Sequence, residues 1–436
     1  MTDPAATPPG SSSSPTPDAS ASGVGRRRLL QGAVGGLAVG ALAGVGATRA
    51  AASGSVGPVD VPQTGDLVDL SVEYPFYGEA HPVGVATKPQ RYAVFMAFDV
   101  VAGTSAAGLQ AVLARWSAAI AQLMKGQPIG QIEPTRSTGI GQDTGEADGL
   151  GPAALTVTVG LGPALFDDRF GLAARKPALL AELPALPSDQ LRPEISGGDL
   201  SVQACAEDPQ VAYHAVRNLA RMARGSVETR WTVMGFGRAS AGPGQETPRN
   251  LMGFKDGTRN VTTDDDYAQH VWVQDAGWMT GGTYQVARKI EMDIEIWDAD
   301  PVSDQQVIFG RTKTEGAPLT GKAEMDTPDF AAKDAKGSAV MPPISHVALA
   351  AHENNDGVKI LRRGYNYTDG INAAGQLDAG LLFIAYMNDP AHFVTLQRRL
   401  GSSDRLNEYI SHIGSGIWAV PPSPQAGHYI AQDLFS

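Results

Sequence analysis

The chain has one cysteine, Cys205, in 436 residues. No internal disulfide can form, and neither a cysteine zinc site nor an iron–sulfur cluster would find its ligands. A lone thiol of this kind sits more often in a core than in an active site. Hydrolytic and phosphate motifs are also missing. The eight histidines (81, 214, 270, 346, 352, 392, 412 and 428) form no H-E-x-x-H or H-x-H pattern, which leaves a zinc hydrolase without support. There is no G-x-S-x-G elbow and no G-x-x-x-x-G-K-[ST] loop. Gly277, Gly281 and Gly282 do not follow a strand in dinucleotide-binding spacing. Excess positive charge is lacking as well. At a net charge of −12, nucleic acid and anionic membrane surfaces are poor partners.

Long apolar runs are scarce. The one candidate, Leu29–Ala47, holds six glycines in nineteen residues, so its transfer energy into lipid is weak. It follows Gly25-Arg26-Arg27-Arg28-Leu29-Leu30-Gln31, which matches a twin-arginine export signal, and small residues at 50 and 52 suit an A-x-A cleavage site. Residues 1–52 therefore read as a disordered Pro/Ser-rich leader plus a cleaved signal peptide, not a stable membrane anchor. The expected destination is extracytoplasmic, secreted or periplasmic, with the twin-arginine translocase as a transient partner. That route moves folded proteins, so it suits a protein that acquires a cofactor before export.

What is present is ordinary globular composition, 42% hydrophobic and 18% charged, with chain enough for two domains. After a Pro/Gly-rich arm over 53–90, residues 91–100 read as a central strand, apolar on both faces. Ser105 caps a helix to about Met124, with Leu109, Val112, Leu113, Trp116 and Ile120 on one face. Residues 155–159 alternate as a strand. At 200–209 a strand ends in Asp208-Pro209 and turns into a helix through Met222. The same unit recurs 181 residues later, ending in Asp389-Pro390 and a helix through Leu400. A strand at Ile290–Asp298 followed by a helix at Val302–Phe309 would match the first strand and helix. The repetition predicts an internal duplication, an α+β architecture of tandem ferredoxin-like domains with helices packed on antiparallel sheets. The expected domains are 53–240 and 241–436, divided in the Gly/Pro-rich 235–247, with 415–422 as a closing strand and turn.

One stretch concentrates possible chemistry: Pro248-Arg249-Asn250-Leu251-Met252-Gly253-Phe254-Lys255-Asp256-Gly257-Thr258-Arg259-Asn260. It sets a carboxylate between two glycines, which by itself describes an Asp-Gly turn. His346 follows 90 residues later, and Arg362-Arg363-Gly364-Tyr365 begins 16 residues after that. An axial histidine could hold a haem iron, with an open face opposite. A carboxylate and a cation on that face could then move the proton and stabilise the charge when a peroxide bond is cleaved.

At this point a resemblance adds to the reading. The 248–260 stretch resembles the GxxDG signature of dye-decolourising peroxidases. So do Gly198-Asp199-Leu200-Ser201-Val202-Gln203, the Ser345-His346 to Tyr365 segment, and Trp418–Pro422, across roughly 90 to 436. The leader and the Asn250–Thr258 wording look like the secreted branch, which includes proteins described as deferrochelatases. The resemblance implies two ferredoxin-like halves with one haem b per chain in the C-terminal half. It implies Asp256 as distal acid–base and Arg362 as distal arginine and charge stabiliser. His346 would be the proximal iron ligand, ahead of a second imidazole, His352. Gly257, Thr258 and Arg259 would lie along the haem edge, and Leu381 and Phe383 over the distal face. Asp389 is the candidate carboxylate for orienting the proximal ring, although Asp208 stands in the same Asp-Pro unit and a helix cap would account for both.

The implied activity is oxidation of dyes, phenols or other aromatic donors by hydrogen peroxide in one-electron steps. Trp297, Tyr365, Tyr386 and Trp418 are the candidates for electron hopping to bulky donors. An aspartate stays ionised well below neutral pH, so an acidic optimum is expected. The alternatives are a deferrochelatase, which releases iron from haem, and a non-enzymatic haem carrier. Monomer and homo-oligomer both remain open, and no long C-terminal extension suggests loading into a shell.

Overall fold

The computed structural model describes residues 68–237 and 247–436. The leader, the twin-arginine segment, its cleavage site, the start of the arm and the middle of the expected domain boundary lie outside the described residues.

The first half runs β1 (Tyr92–Val100), α1 (Ala106–Leu123), β2 (Thr156–Leu161), β3 (Leu200–Ala206), α2 (Pro209–Met222) and β4 (Val227–Phe236). Its antiparallel order is β2-β3-β1-β4. After the short α3 (Asp264–His270), the second half runs β5 (Thr283–Met292), α4 (Ile294–Ala299), α5 (Val302–Phe309) and α6 (His346–Ala350). It continues through β6 (Leu361–Arg362), β7 (Tyr365–Ile371), β8 (Leu377–Met387), α7 (Pro390–Ser403) and β9 (Ile410–Val420). Here β5 lies between β9 and β8, and β8 also pairs with β6 and β7, which together replace one strand. Both halves therefore have the ferredoxin-like strand order.

The two sheets join at their edges. Leu161 of β2 pairs with Ala419 of β9, and Gly235 and Phe236 of β4 pair with Tyr367 and Asn366 of β7. Because β5 also pairs with β8, the strands close into a ring. This is why residues Thr64–Ser436 behave as one compact unit. Strand β1 is central and buried on both faces. Val94 and Phe98 join the helix-side core, while Phe95 and Ala97 pack between the sheets with Trp231, Tyr367, Tyr386 and Trp418.

Ser105 caps α1 through its hydroxyl, which accepts from the Gly108 amide at 3.1 Å. The five apolar residues expected on the inner face of α1 are all fully buried. The duplicated Asp-Pro caps are also present. Asp208 accepts from the Gln210 amide at 2.7 Å and Asp389 from the Ala391 amide at 2.8 Å, each with proline opening the helix.

One expectation fails: Ile290–Asp298 is not a strand. The strand ends at Met292, and Ile294–Ala299 is helical. The apolar residues at 290, 292, 294 and 296 alternate, so a period of two fits them locally. Tertiary packing decides against it, since the helical turn buries Trp297 completely and leaves Ile296 about half exposed.

Candidate active site

The 248–260 stretch folds as a tight reversal. The Asn250 amide donates to the Phe254 carbonyl at 3.0 Å, and the Asp256 amide donates to the Pro248 carbonyl at 2.8 Å. Gly253 (φ +83°) and Gly257 (φ +127°) adopt backbone conformations that L side chains rarely take. At Gly253 a β-carbon would also lie 2.7 Å from the Lys313 side chain. The buried Phe254 ring anchors the reversal by stacking on Phe309 at 4.0 Å, beside the fully buried Trp297. Phe309 in turn meets the His346 ring edge-on at 5.8 Å. One aromatic chain thus connects the turn bearing Asp256 to the helix bearing His346.

Between these segments lies a cavity of 240 Å³. Voids larger than a water molecule are few in a packed interior, so this is not a packing defect. Its walls come from the outer face of the second sheet (Arg288, Ile290, Leu381, Phe383), from α6 and α7 (His346, Val347, Phe393, Leu396), and from the 256–259 turn. Every residue singled out above for the site, except Asp389, lines it: Asp256, Gly257, Thr258, Arg259, His346, Arg362, Leu381 and Phe383. His352 lines it too.

Asp256 and Arg362 face each other, with Nη1 of the arginine 3.4 Å from Oδ1 of the aspartate. Each side chain is about 30% exposed (31% for Arg362, 30% for Asp256), and both line the cavity. Arg362 is held in several ways. Its Nη2 donates to the Thr258 carbonyl at 2.9 Å. The Asn260 side chain also pairs with both backbone groups of Arg362, accepting from its amide at 2.9 Å and donating to its carbonyl at 2.7 Å. Asn260 therefore docks the turn onto β6 and sets the register of the aspartate against the arginine.

His346 opens α6, and its Nδ1 donates to Oδ2 of Asp404 at 2.6 Å. Asp404 is only 3% exposed, caps the turn after α7, and accepts the Leu406 amide at 2.9 Å through its other oxygen. Burial opposes the charged imidazole, but the charge and hydrogen bond of Asp404 outweigh it and hold the ring's pKa above the ordinary histidine value. Although 32% of the His346 side chain is exposed, the ring lies in the wall of the cavity. With Nδ1 carrying the proton, Nε2 keeps a lone pair available for a metal. His352 differs, because its neighbour Glu353 lies 3.4 Å away and is one-third exposed, and burial lowers the His352 pKa.

Asp389, expected to orient the ring of His346, is not its partner. It is the cap of α7, as Asp208 is of α2, whereas the carboxylate behind His346 is Asp404, at the opposite end of the same helix. The Asp-Pro signal marked a helix start and nothing more. Asp404 follows Leu400-Gly401-Ser402-Ser403, a segment that reads as a helix end, and nothing local ties it to a residue 58 positions earlier. Asn260 lay within the singled-out stretch without an assigned role. Arg311 and Glu324 had none either. Glu324 accepts from Thr258 Oγ1 at 2.8 Å and from Lys255, and Arg311 lines the cavity. The four aromatic candidates for electron hopping, Trp297, Tyr365, Tyr386 and Trp418, are all buried, so none offers a surface contact to a bulky donor.

A histidine backed by a buried carboxylate thus lines one cavity with an Asp–Arg pair and apolar side chains, on duplicated ferredoxin-like sheets. The comparisons identify the class. Residues 82–237 match the Dyp-type peroxidase N-terminal region and residues 247–425 the Dyp-type peroxidase C-terminal region. The chain belongs to the Dyp-type peroxidase family. It is 38% identical over 432 residues to the deferrochelatase of Yersinia pseudotuberculosis serotype I (strain IP32953), covering 96% of each chain. It is 36% identical over 422 residues to that of Escherichia coli O157:H7, covering 94% of this chain and 96% of the relative. Among solved structures, ferric DtpA from Streptomyces lividans superposes with a TM-score of 0.79 at 37% identity, covering 85% of this chain and 99% of that one. The DyP-type peroxidase from Cellulomonas bogoriensis gives 0.77 at 36% identity, with coverage of 84% and 99%.

Proposed function

We propose that this protein is a haem-dependent peroxidase that uses hydrogen peroxide to oxidise dyes, phenols or other aromatic donors. The observation that carries the proposal is that His346–Asp404 and Asp256–Arg362 line one cavity. The residues present fit a haem b. His346 would supply one nitrogen ligand, its other nitrogen being committed to Asp404, and Ile290, Leu381, Phe383, Phe393 and Leu396 would supply apolar walls for a flat ring. Arg259, Arg311 and Arg362 add a positive wall. Burial, opposed by Glu324 and reinforced by the other two arginines, pushes Arg311 down to about 10, and this charge crowding suits the carboxylates of a haem.

A bound haem supplies a redox-active iron for peroxide reduction and donor oxidation. The chain's own residues handle the proton and the charge. Asp256 takes the proton from hydrogen peroxide and hands it to the departing oxygen. Arg362 stabilises the negative charge that develops there. Asp404 holds the His346 ring in one tautomer and orientation. The walls limit water.

The test is an absorption spectrum of the haem-supplemented protein with and without peroxide, followed by steady-state oxidation of a phenol. A Soret band that changes with peroxide is expected. Asp256→Asn should lower the rate by about 10²–10⁴-fold. An Asp256→Asn protein as active as the parent would remove the aspartate from the mechanism.

A second reading is favoured by the relatives named deferrochelatase at 36–38% identity over most of the chain. In it the same pocket releases iron and leaves the tetrapyrrole intact, so free protoporphyrin among the products would support it. A passive haem carrier is the weaker alternative, because it has no use for the Asp256–Arg362 pair. We assign export to the twin-arginine route on the wording of residues 25–31. Among the described residues no helix is long and apolar enough to cross a membrane.

A further inference from the structure

Two walls of the cavity are tied together at its rim by one ion pair. Arg259 Nη2 and Nη1 donate to Glu353 Oε1 and Oε2 at 2.5 and 3.3 Å, a two-pronged contact between segments 94 residues apart. Arg259 follows the Asp256-Gly257-Thr258 turn and has φ +59°, a left-handed conformation that non-glycine residues rarely adopt. Glu353 sits in the turn after α6, the helix that carries His346. Arg259 lines the cavity, yet both partners keep partial exposure, 23% and 33%, which puts the pair at the rim.

Each partner stands on a segment that is itself pinned. On one side, Asn260 fixes the turn to the Arg362 backbone. On the other, Asn354 donates to the Ala348 carbonyl and Asn355 to the carbonyls of Leu349 and Ala351, all at 2.7–2.8 Å. Arg399 of α7 reaches the Asn354 carbonyl. Among the described residues, Arg259–Glu353 is the one ion pair joining the turn of Asp256 to α6 and the turn that follows it, Asp256–Arg362 reaching β6 instead.

We propose that Arg259 and Glu353 form a latch that sets how fast the tetrapyrrole enters and leaves the cavity. This rests on the reading that the cavity binds haem. With the pair closed, the distal turn and the proximal helix are held at a fixed separation along the open edge. With it broken, each segment keeps its own anchors and the edge can widen. The pair acts on retention, not on the proton chemistry, which belongs to Asp256.

The test measures haem transfer from the holoprotein to excess apomyoglobin, followed by absorbance. It compares the parent, Arg259→Gln, Glu353→Gln and the double variant, with thermal midpoints as the check on folding. Each single variant is expected to lose haem about threefold faster. The double variant should release haem no faster than Arg259→Gln alone, because Glu353 acts only through Arg259. Raising the salt concentration should speed release from the parent but not from the variants. Equal release rates in all four proteins would overturn the latch while leaving haem binding intact, and so would strictly multiplicative effects. Failure of every protein, the parent included, to take up haem would overturn the haem reading and the latch with it.

Discussion

The two halves share strand order, helix placement and even the Asp-Pro caps, yet they differ in what covers the sheet. In the first half, α1 lies along its sheet for eighteen residues, and Trp116 fills the space between them, its indole donating to the Leu219 carbonyl at 2.9 Å. In the second half the equivalent helix is split. Asp300-Pro301 separates α4 from α5, since proline at that point cannot continue a helix. The two pieces cover the sheet only in part: Leu381 packs beside Trp297 and Phe309, while Ile290, Leu381 and Phe383 also line the cavity. Each half also has a histidine backed by a buried carboxylate, His214–Asp143 at 2.8 Å and His346–Asp404 at 2.6 Å. The second pair lines a cavity of 240 Å³, and the first one of only 10 Å³. The comparison teaches that the same pairing fixes a histidine ring in both halves, and that the space beside the second ring sets it apart.

The comparison can be broken at several points. The largest effect is expected at the histidines. His346→Ala should abolish the Soret band on haem titration, and His214→Ala should leave uptake unchanged while lowering the thermal midpoint. Equal haem binding by both variants would end the functional distinction between the halves.

Next in size is packing. Trp116→Ala should cost about 3–5 kcal/mol, read as a shift in the urea midpoint, because a dense core cannot collapse around the loss. Phe383→Ala, on a wall that already faces space, should cost markedly less. Similar costs would mean that the second half is as tightly packed as the first.

Smaller again is the exchange of carboxylates. Asp404→Asn should weaken haem affinity by about 10–100-fold, since it removes the acceptor that fixes the ring. Asp389→Asn should leave affinity alone and cost no more than about 1 kcal/mol as a weakened cap. Haem titration and urea melts on both variants decide between them.

The smallest effect concerns pH. Burial raises the Asp143 pKa, but its bonds from His214 and from the Gly145 and Ile129 amides outweigh this and hold the carboxyl below the usual aspartate value. A folded pKa depressed in this way contributes stability that is present above the unfolded value and is lost as pH falls through the folded one. The stability gap between the parent and Asp143→Asn should therefore be full at pH 5 and shrink below the ordinary aspartate range. A gap that does not change with pH in urea melts would contradict this.

Much of this architecture was legible in advance because its signals are local. The apolar period of α1, the Ser105 cap, the repeated Asp-Pro units and the doubly apolar β1 each depend on neighbours within a few residues. The resemblance carried by residues 248–260 and 345–365 added a set of residues that do converge on one cavity. The misreadings share a cause. Ile290–Asp298 alternates well enough for a strand, and only the burial of Trp297 against Phe254, Phe309 and Tyr409 makes its second part a helix. Asp389 had a visible motif and Asp404 had none, yet the partner of His346 is chosen by where the far end of α7 comes to rest.

By itself, then, the sequence determined the repeated β-α-β-β-α-β plan and the turn that presents Asp256, because backbone preference and hydrophobic period act over short range. Tertiary structure alone decided that a cavity opens over the second sheet beside His346, that Asn260 fixes Arg362 against Asp256, and that Asp404 stands behind His346. Those contacts join positions 58 to 106 residues apart. The packing of sheets and helices sets them, and no local pattern encodes it.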